Sequence, residues 1–488
     1  MRDVRAIALC ARGRRAPMLS VPRRWLLAAG AGLFADRFMP ATVAAEDTGF
    51  PHGFLWGAST SSYQIEGAVD ADGRGQSIWD VFSHTSGRVK TGDTGDVACD
   101  HYHRWPGDLD LLVRGNFSAY RFSTAWSRIL PSGAGAVEPR GLAFYDRLVD
   151  GLLERGIAPW LCLYHWDLPQ ALQERGGWLD RDTGERFADY ARIVARRLGD
   201  RVTHWAIFNE PNIHALFGHG LGEHAPGLKG LATLLAAIHH LNLAQGLAIA
   251  ALRAERAELR VGTILSLQPA RPASERAEDR GAAERFDGMW NGACLDPLMT
   301  GAYPAAVAAD FAPLVRAGDL AAMRQPIDWL GVNYYSPMYA AQAPQSLFGA
   351  WFGPAPPGTR FTAMGWPVDA GGLAEELIRL RERYGDLALY VTENGACYDD
   401  ARAADGTVQD DDRIAFLRDH LAAARRAVAA GVNLRGYFVW SLLDNFEWAE
   451  GFARRFGVVR VDFATLERTP KASYHWLAAF IDRHTRRN

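Results

Sequence analysis

From Phe54 onward, short apolar runs alternate with longer stretches in which apolar residues recur every three or four positions. Eight short runs stand out: Phe54–Ser59, Phe117–Ser123, Ala158–Tyr164, Val202–Phe208, Leu259–Leu265, Trp329–Tyr334, Leu387–Thr392 and Arg435–Ser441. Most are nearly continuous rather than alternating, as strands covered on both faces are. The stretches between them include Gly141–Arg155, Glu185–Leu198, Leu231–Ala254 and Arg413–Ala430, all with helical periodicity. Strands alternating with helices predict a parallel sheet, and eight of them predict a closed (β/α)8 barrel of the TIM type in the α/β class. A doubly wound fold would need a glycine-rich phosphate loop after its first strand, and Phe54–Gly67 contains none.

The segment Ala341–Gly365 breaks the alternation with clustered Pro, Gly and aromatic residues. It follows the sixth strand, so it is expected to be a long ordered rim on the catalytic face. With 488 residues, 48% apolar and 22% charged, the chain has material for one large barrel domain, residues 46–488. A net charge of −3 without a basic stripe argues against a nucleic-acid partner. The five cysteines have no paired spacing and read as buried thiols. The cluster Asp100-His101-Tyr102-His103 is read without a metal, His239-His240 as a structural pair, and the triplet Asn116-Phe117-Ser118 as a chance glycosylation match. No membrane span is expected, since no run of 18 apolar residues follows the amino-terminal region.

Residues 1–45 differ from the rest, with eight arginines against two aspartates. Arg23-Arg24 precedes an apolar run to Ala35, and Val43-Ala44-Ala45 resembles a small-residue cleavage end. That order of basic, apolar and small segments predicts a twin-arginine-like export signal, hence a periplasmic or secreted enzyme. A disordered basic tail on a cytoplasmic protein is the alternative, which Asp36-Arg37 in the apolar stretch favours.

The chemistry concentrates in two glutamates. Glu210 closes the fourth strand-like run and Glu393 the seventh, 183 positions apart. Carboxylates at the C-terminal ends of barrel strands lie where such barrels keep their active sites, and glycosidic cleavage needs a pair of them. The 16 tryptophans fit a sugar substrate, whose C–H faces stack on rings.

The neighbours of both residues resemble glycoside hydrolase family 1, the retaining β-glucosidase family. The resemblance rests on Phe208-Asn209-Glu210-Pro211, Val391-Thr392-Glu393-Asn394-Gly395 and the segment from Phe54 to Gly67. Tyr120-Arg121-Phe122-Ser123, Tyr164-His165-Trp166-Asp167, Asn333-Tyr334-Tyr335 and Trp440 through Trp448 also match, in order, from about Phe50 to the end. The resemblance implies Glu210 as acid/base and Glu393 as nucleophile. It implies Gln64, His165, Asn209, Tyr335, Trp440, Glu447 and Trp448 as sugar-binding residues. Arg121, Asn333 and Trp166 would support them, and neither cofactor nor metal is called for.

Glu447 argues for unphosphorylated glycosides, because a carboxylate there would repel a 6-phosphate. Glu210 argues against the thioglucosidase branch, which lacks its acid/base. Asn212 stands where many bacterial relatives carry Trp, so the leaving-group side is expected to be less aromatic. The implied activity is release of terminal β-D-glucosyl units from small glycosides or oligosaccharides through a covalent intermediate. Transglycosylation by the same two glutamates and sugar binding without turnover are the alternatives.

Overall fold

The computed structural model describes residues 49–485, and within them the eight expected strands close into a barrel. They are β1 (Leu55–Ser59), β2 (Ala119–Ser123), β3 (Ala158–Tyr164), β4 (His204–Asn209), β5 (Arg260–Ser266), β6 (Trp329–Asn333), β7 (Ala388–Asn394) and β8 (Leu434–Trp440). Every neighbouring pair is parallel, and β8 returns to β1 through Leu55↔Gly436 to Ser59↔Trp440. The predicted helices run Pro139–Glu154, Asp182–Leu198, Leu231–Glu255 and Asp411–Ala429. The segment read as an export signal lies outside the described residues.

Strand starts shift by one or two residues where local chemistry intervenes. β2 begins at Ala119 rather than Phe117 because Asn116 takes a left-handed turn, φ +59°, after the preceding helix. The Asn116 amide is exposed and donates to Ala478 O at 3.2 Å. Leu231–Glu255 is long and apolar enough to cross a membrane, but 78% of its most apolar window is buried. It packs against Asp182–Leu198 as a core helix of the barrel wall.

The lower barrel is plugged by rings. Trp160 from β3 meets Trp329, Tyr390 and Phe438 at centroid distances of 4.9, 4.7 and 5.1 Å, each at a steep angle. Such tilted pairs are a favoured aromatic geometry. Gly262 makes room, since a Cβ there would lie 2.4 Å from the Trp329 ring. Above this plug the inward positions turn polar, beginning with Arg121, which is 1% exposed.

The Ala341–Gly365 region is ordered, and part of it is strand rather than irregular rim. Met338–Gln342 and Ala350–Phe352 pair antiparallel, and Ala270–Pro272 joins them as a third strand. His239 is held by Tyr303 and Asp319, both at 2.9 Å, as a structural residue. The described cysteines (Cys99, Cys162, Cys294 and Cys397) are buried free thiols.

Candidate active site

Both glutamates follow a break in strand register. On β4, Ala206 pairs with Gly262 but Asn209 pairs with Ile264, so three steps match two on β5. On β7, Val391 pairs with Val332 and Glu393 with Asn333, leaving Thr392 extra. A bulge interrupts the two-residue alternation and re-aims the side chains beyond it. Glu210 then adopts φ +47° and ψ +57°, and Pro211 opens the short helix Pro211–Ala215. Trp166 and Trp448 also have positive φ, +77° and +51°. Left-handed backbone at non-glycine residues costs on the order of 1–3 kcal/mol each and gathers at functional sites, held by the packing around it.

The polar groups above the ring plug form one connected set. Arg121 Nη1 donates to Glu393 Oε1 at 2.7 Å, and the Tyr335 hydroxyl donates to Glu393 Oε2 at 2.5 Å. Arg121 Nη2 donates to Asn209 Oδ1 at 2.7 Å. Asn333 Nδ2 reaches Asn209 Oδ1 at 3.0 Å and Glu210 Oε1 at 2.9 Å, while its Oδ1 accepts from Thr392 Oγ1 at 2.7 Å. Arginine, two asparagines and a tyrosine thus bridge the two carboxyl groups. Because Asn209 Oδ1 already accepts twice, its Nδ2 is the donor to His165 Nε2, at 3.0 Å. Burial, with Arg121 and His214 nearby, pushes the His165 pKa well below the usual range, so the ring is neutral.

The two carboxyls differ in their surroundings. Burial raises the pKa of both. For Glu210 the next largest influence is the Glu393 charge, which raises it further and leaves it well above the usual carboxyl value. For Glu393 every other leading influence opposes burial: the Arg121 charge, then hydrogen bonds from Tyr335, Arg121 and Asn333. One carboxyl is therefore biased to hold a proton and the other to release it, the division that acid and nucleophile require.

A cavity of about 780 Å³ opens over these groups. Of the sequence candidates, Glu210, Glu393, His165, Trp166, Tyr335, Trp440, Glu447 and Trp448 line it. Gln64, Arg121, Asn209 and Asn333 are buried without lining it. The Gln64 amide donates to Asn445 Oδ1 at 3.0 Å and Phe446 O at 2.9 Å, and accepts from Ser61 at 2.6 Å. It thereby ties the first strand's loop to the Trp440–Trp448 segment. Trp448 stacks near His165 at 5.9 Å and lies 4.8 Å from Trp166, and His165 faces Trp440 at 5.9 Å.

Comparison with known proteins identifies the family and the fold. The family model for glycosyl hydrolase family 1 matches residues 46–486. The chain belongs to glycosyl hydrolase family 1. Among its relatives is a 1,4-beta-D-glucan glucohydrolase of Thermotoga neapolitana, 45% identical over 88% of this chain and 98% of that protein. A thermostable beta-glucosidase B of Thermobispora bispora is 48% identical over 92% of this chain and 94% of its own. The solved family 1 beta-glucosidase of Thermotoga maritima superposes with a TM-score of 0.87 at 43% identity, covering 89% of this chain and 98% of that one.

As a family 1 glycoside hydrolase the protein needs a grip on sugar hydroxyls, and Glu447 has the features of one. It is half-buried, and among the described residues its buried Oε2 atom has no hydrogen-bond partner. Burial, then the Glu393 and Glu450 charges, push its pKa up to about 8. Hydroxyls donating to it would supply the missing partners. Glu447→Ala is expected to lower kcat/KM for an aryl β-glucoside by roughly 100-fold, the worth of about 3 kcal/mol from two hydrogen bonds to its carboxyl. Steady-state kinetics check this, and a drop under threefold would exclude Glu447 from the sugar grip.

Several lining residues of this family 1 site were not singled out in the sequence. Ser266, Gln268, Trp290, Phe352, Trp366 and Phe456 all face the cavity. Trp366 and Phe456 surround Tyr335 at 5.3 and 6.1 Å. Ser266 ends β5, a position a barrel makes available; Phe352 lies within the aromatic-rich rim Ala341–Gly365, and Trp290 carried no local signal beyond being aromatic. Trp290 and Phe352 add rings to the cavity lining from elements distant in sequence from Asn212.

Proposed function

We propose that the protein is an exo-acting, retaining β-glucosidase that releases terminal β-D-glucosyl units from unphosphorylated glycosides. The observation that carries this reading is the asymmetry of the two carboxyls, Glu393 clamped by Arg121 and Tyr335, and Glu210 buried beside its charge. Glu393 attacks the anomeric carbon while Glu210 protonates the departing oxygen. The resulting ester carries no charge, so the Coulombic push on Glu210 disappears and its pKa falls. Glu210 then removes a proton from water, which displaces Glu393 and restores both groups. Each step inverts the anomeric carbon, and two inversions give retention.

The names of the relatives support a glucosyl donor, and a solved complex of the Thermotoga maritima beta-glucosidase with glucoimidazole supports a site shaped for such a ring. The acid at Glu447 supports an unphosphorylated sugar. Proton NMR during hydrolysis of an aryl β-glucoside tests the mechanism. β-Glucose is expected to appear first and α-glucose only by later mutarotation; the reverse order would sink the retaining assignment. Export through residues 1–45 is part of the proposal, supported by their basic, apolar and small-residue order. Intact-mass analysis of protein from the secreted or periplasmic fraction should find a start near Ala45, and a start at Met1 would refute it.

A further inference from the structure

Asn212, two residues beyond Glu210, carries no ring, yet its side chain does specific work. Its Nδ2 donates to Ser266 O at the end of β5 and to Trp290 O, both at 2.9 Å. The Trp290 indole nitrogen donates to the same Ser266 oxygen at 3.1 Å. The amide and the indole thus share one carbonyl, and the triangle holds Trp290 against the mouth of β5. Trp290 sits in a widened helical turn, Gly288–Gly292, of the π type that is frequent at functional sites. Asn291 of that turn fastens it again, donating to Gln268 O at 2.8 Å and accepting from Gln268 N at 3.1 Å.

Held in this way, Trp290 forms a corner with Phe352. The two rings lie 5.9 Å apart and almost perpendicular, at 86°, and both line the cavity. Phe286 backs the corner, 5.8 Å from Trp290 and 5.0 Å from Phe352. Phe352 is nonetheless 45% exposed while lining the cavity, which is unusual for a ring with such neighbours. A perpendicular pair offers one ring face and one ring edge to a guest. An aromatic guest can stack on the first and meet the second edge-on, whereas a pyranose gains mainly from a single face.

We infer that Trp290 and Phe352 form the aglycone wall, that Asn212 is the residue positioning it, and that the wall favours aryl leaving groups over a second glucose. This rests on the β-glucosidase reading above and adds the substrate class on the leaving-group side. Asn212 thereby acts through Trp290 rather than on substrate.

The test compares kcat/KM for 4-methylumbelliferyl β-glucoside, cellobiose and β-glucosyl fluoride, whose leaving group is too small to reach the wall. For Trp290→Ala and for Phe352→Ala, the ratio of aryl glucoside to fluoride should fall about tenfold relative to wild type, and the ratio of aryl glucoside to cellobiose should fall as well. Trp290→Phe, which keeps a ring, should recover most of the loss. Asn212→Ala should reproduce the Trp290→Ala ratio, and the double variant should fall no further, because both changes remove one wall. The exposed Phe352 keeps the test open should Trp290→Ala fail to fold. Unchanged ratios, or equal losses on aryl glucoside and cellobiose, would overturn the aryl wall. Additive losses in the double variant would overturn the role of Asn212. A wild-type protein inert on all three substrates would instead overturn the β-glucosidase reading itself.

Discussion

Glu393→Ala is expected to lower kcat on aryl β-glucosides by roughly 10⁴–10⁶-fold, the scale on which removal of a covalent nucleophile acts. Its carboxylate is held between Arg121 and Tyr335, at 2.7 and 2.5 Å, and among the described residues no other carboxylate contacts both. Alanine leaves a space beside the anomeric carbon and removes the carboxylate that neutralises the Arg121 guanidinium. Added azide fits that space, and its charge suits the guanidinium. Azide should therefore restore turnover of a substrate with a good leaving group, in a single displacement assisted by Glu210. One displacement means one inversion, and α-glucosyl azide is the product to find by NMR. Recovery of the β-azide, or residual activity above one part in about a thousand without azide, would show that Glu393 is not the nucleophile.

Glu210→Ala separates the two half-reactions. General acid–base catalysis contributes about 10²–10⁴-fold, and a poor leaving group should lose all of it. A 2,4-dinitrophenyl leaving group needs no proton, so the glycosyl-enzyme still forms and then persists for want of a base. Pre-steady-state kinetics should show a burst of dinitrophenol, and mass spectrometry the glucosylated chain. Azide here attacks the intermediate from the side vacated by Glu210 and gives β-glucosyl azide, the product of two inversions. The wild-type pH profile carries the same assignment. Activity should fall on the alkaline side as Glu210 loses its proton, because burial and the Glu393 charge hold its pKa above the ordinary carboxyl value. Neutralising Glu393 as Glu393→Gln removes that charge, so the Glu210 pKa should drop, as read by NMR of ¹³C-labelled glutamate. An unmoved Glu210 titration would break the link between ester formation and the change from acid to base.

The barrel was legible because its signal is local and repeated. Each strand is covered on both faces and so reads as an apolar run, and each helix carries its own period. The ends of those strands pointed to Glu210 and Glu393 for the same reason. Gln64 shows a limit of that reading. The resemblance implies it as a sugar-binding residue, whereas in the structure its amide is engaged by Ser61, Asn445 and Phe446, partners up to 382 positions away. The rim at Ala341–Gly365 was legible as an ordered loop, whereas its strand pairing with Ala270–Pro272 depends on contacts across the catalytic face.

The sequence by itself determined the fold class, the two carboxylates and their family, since local periodicity and short collinear segments carry that information. Only the tertiary structure decided how the carboxylates differ. Two register bulges aim them, and Arg121 from β2 meets Tyr335 beyond β6 to surround one of them and leave the other beside its charge. The proposed leaving-group wall rests on contacts of the same through-space kind. Asn212 reads in the sequence as the loss of a ring, whereas in the structure its amide donates to Trp290 O, 78 residues away. Electrostatics and packing act through space, and a one-dimensional pattern records them only where the chain happens to be its own neighbour.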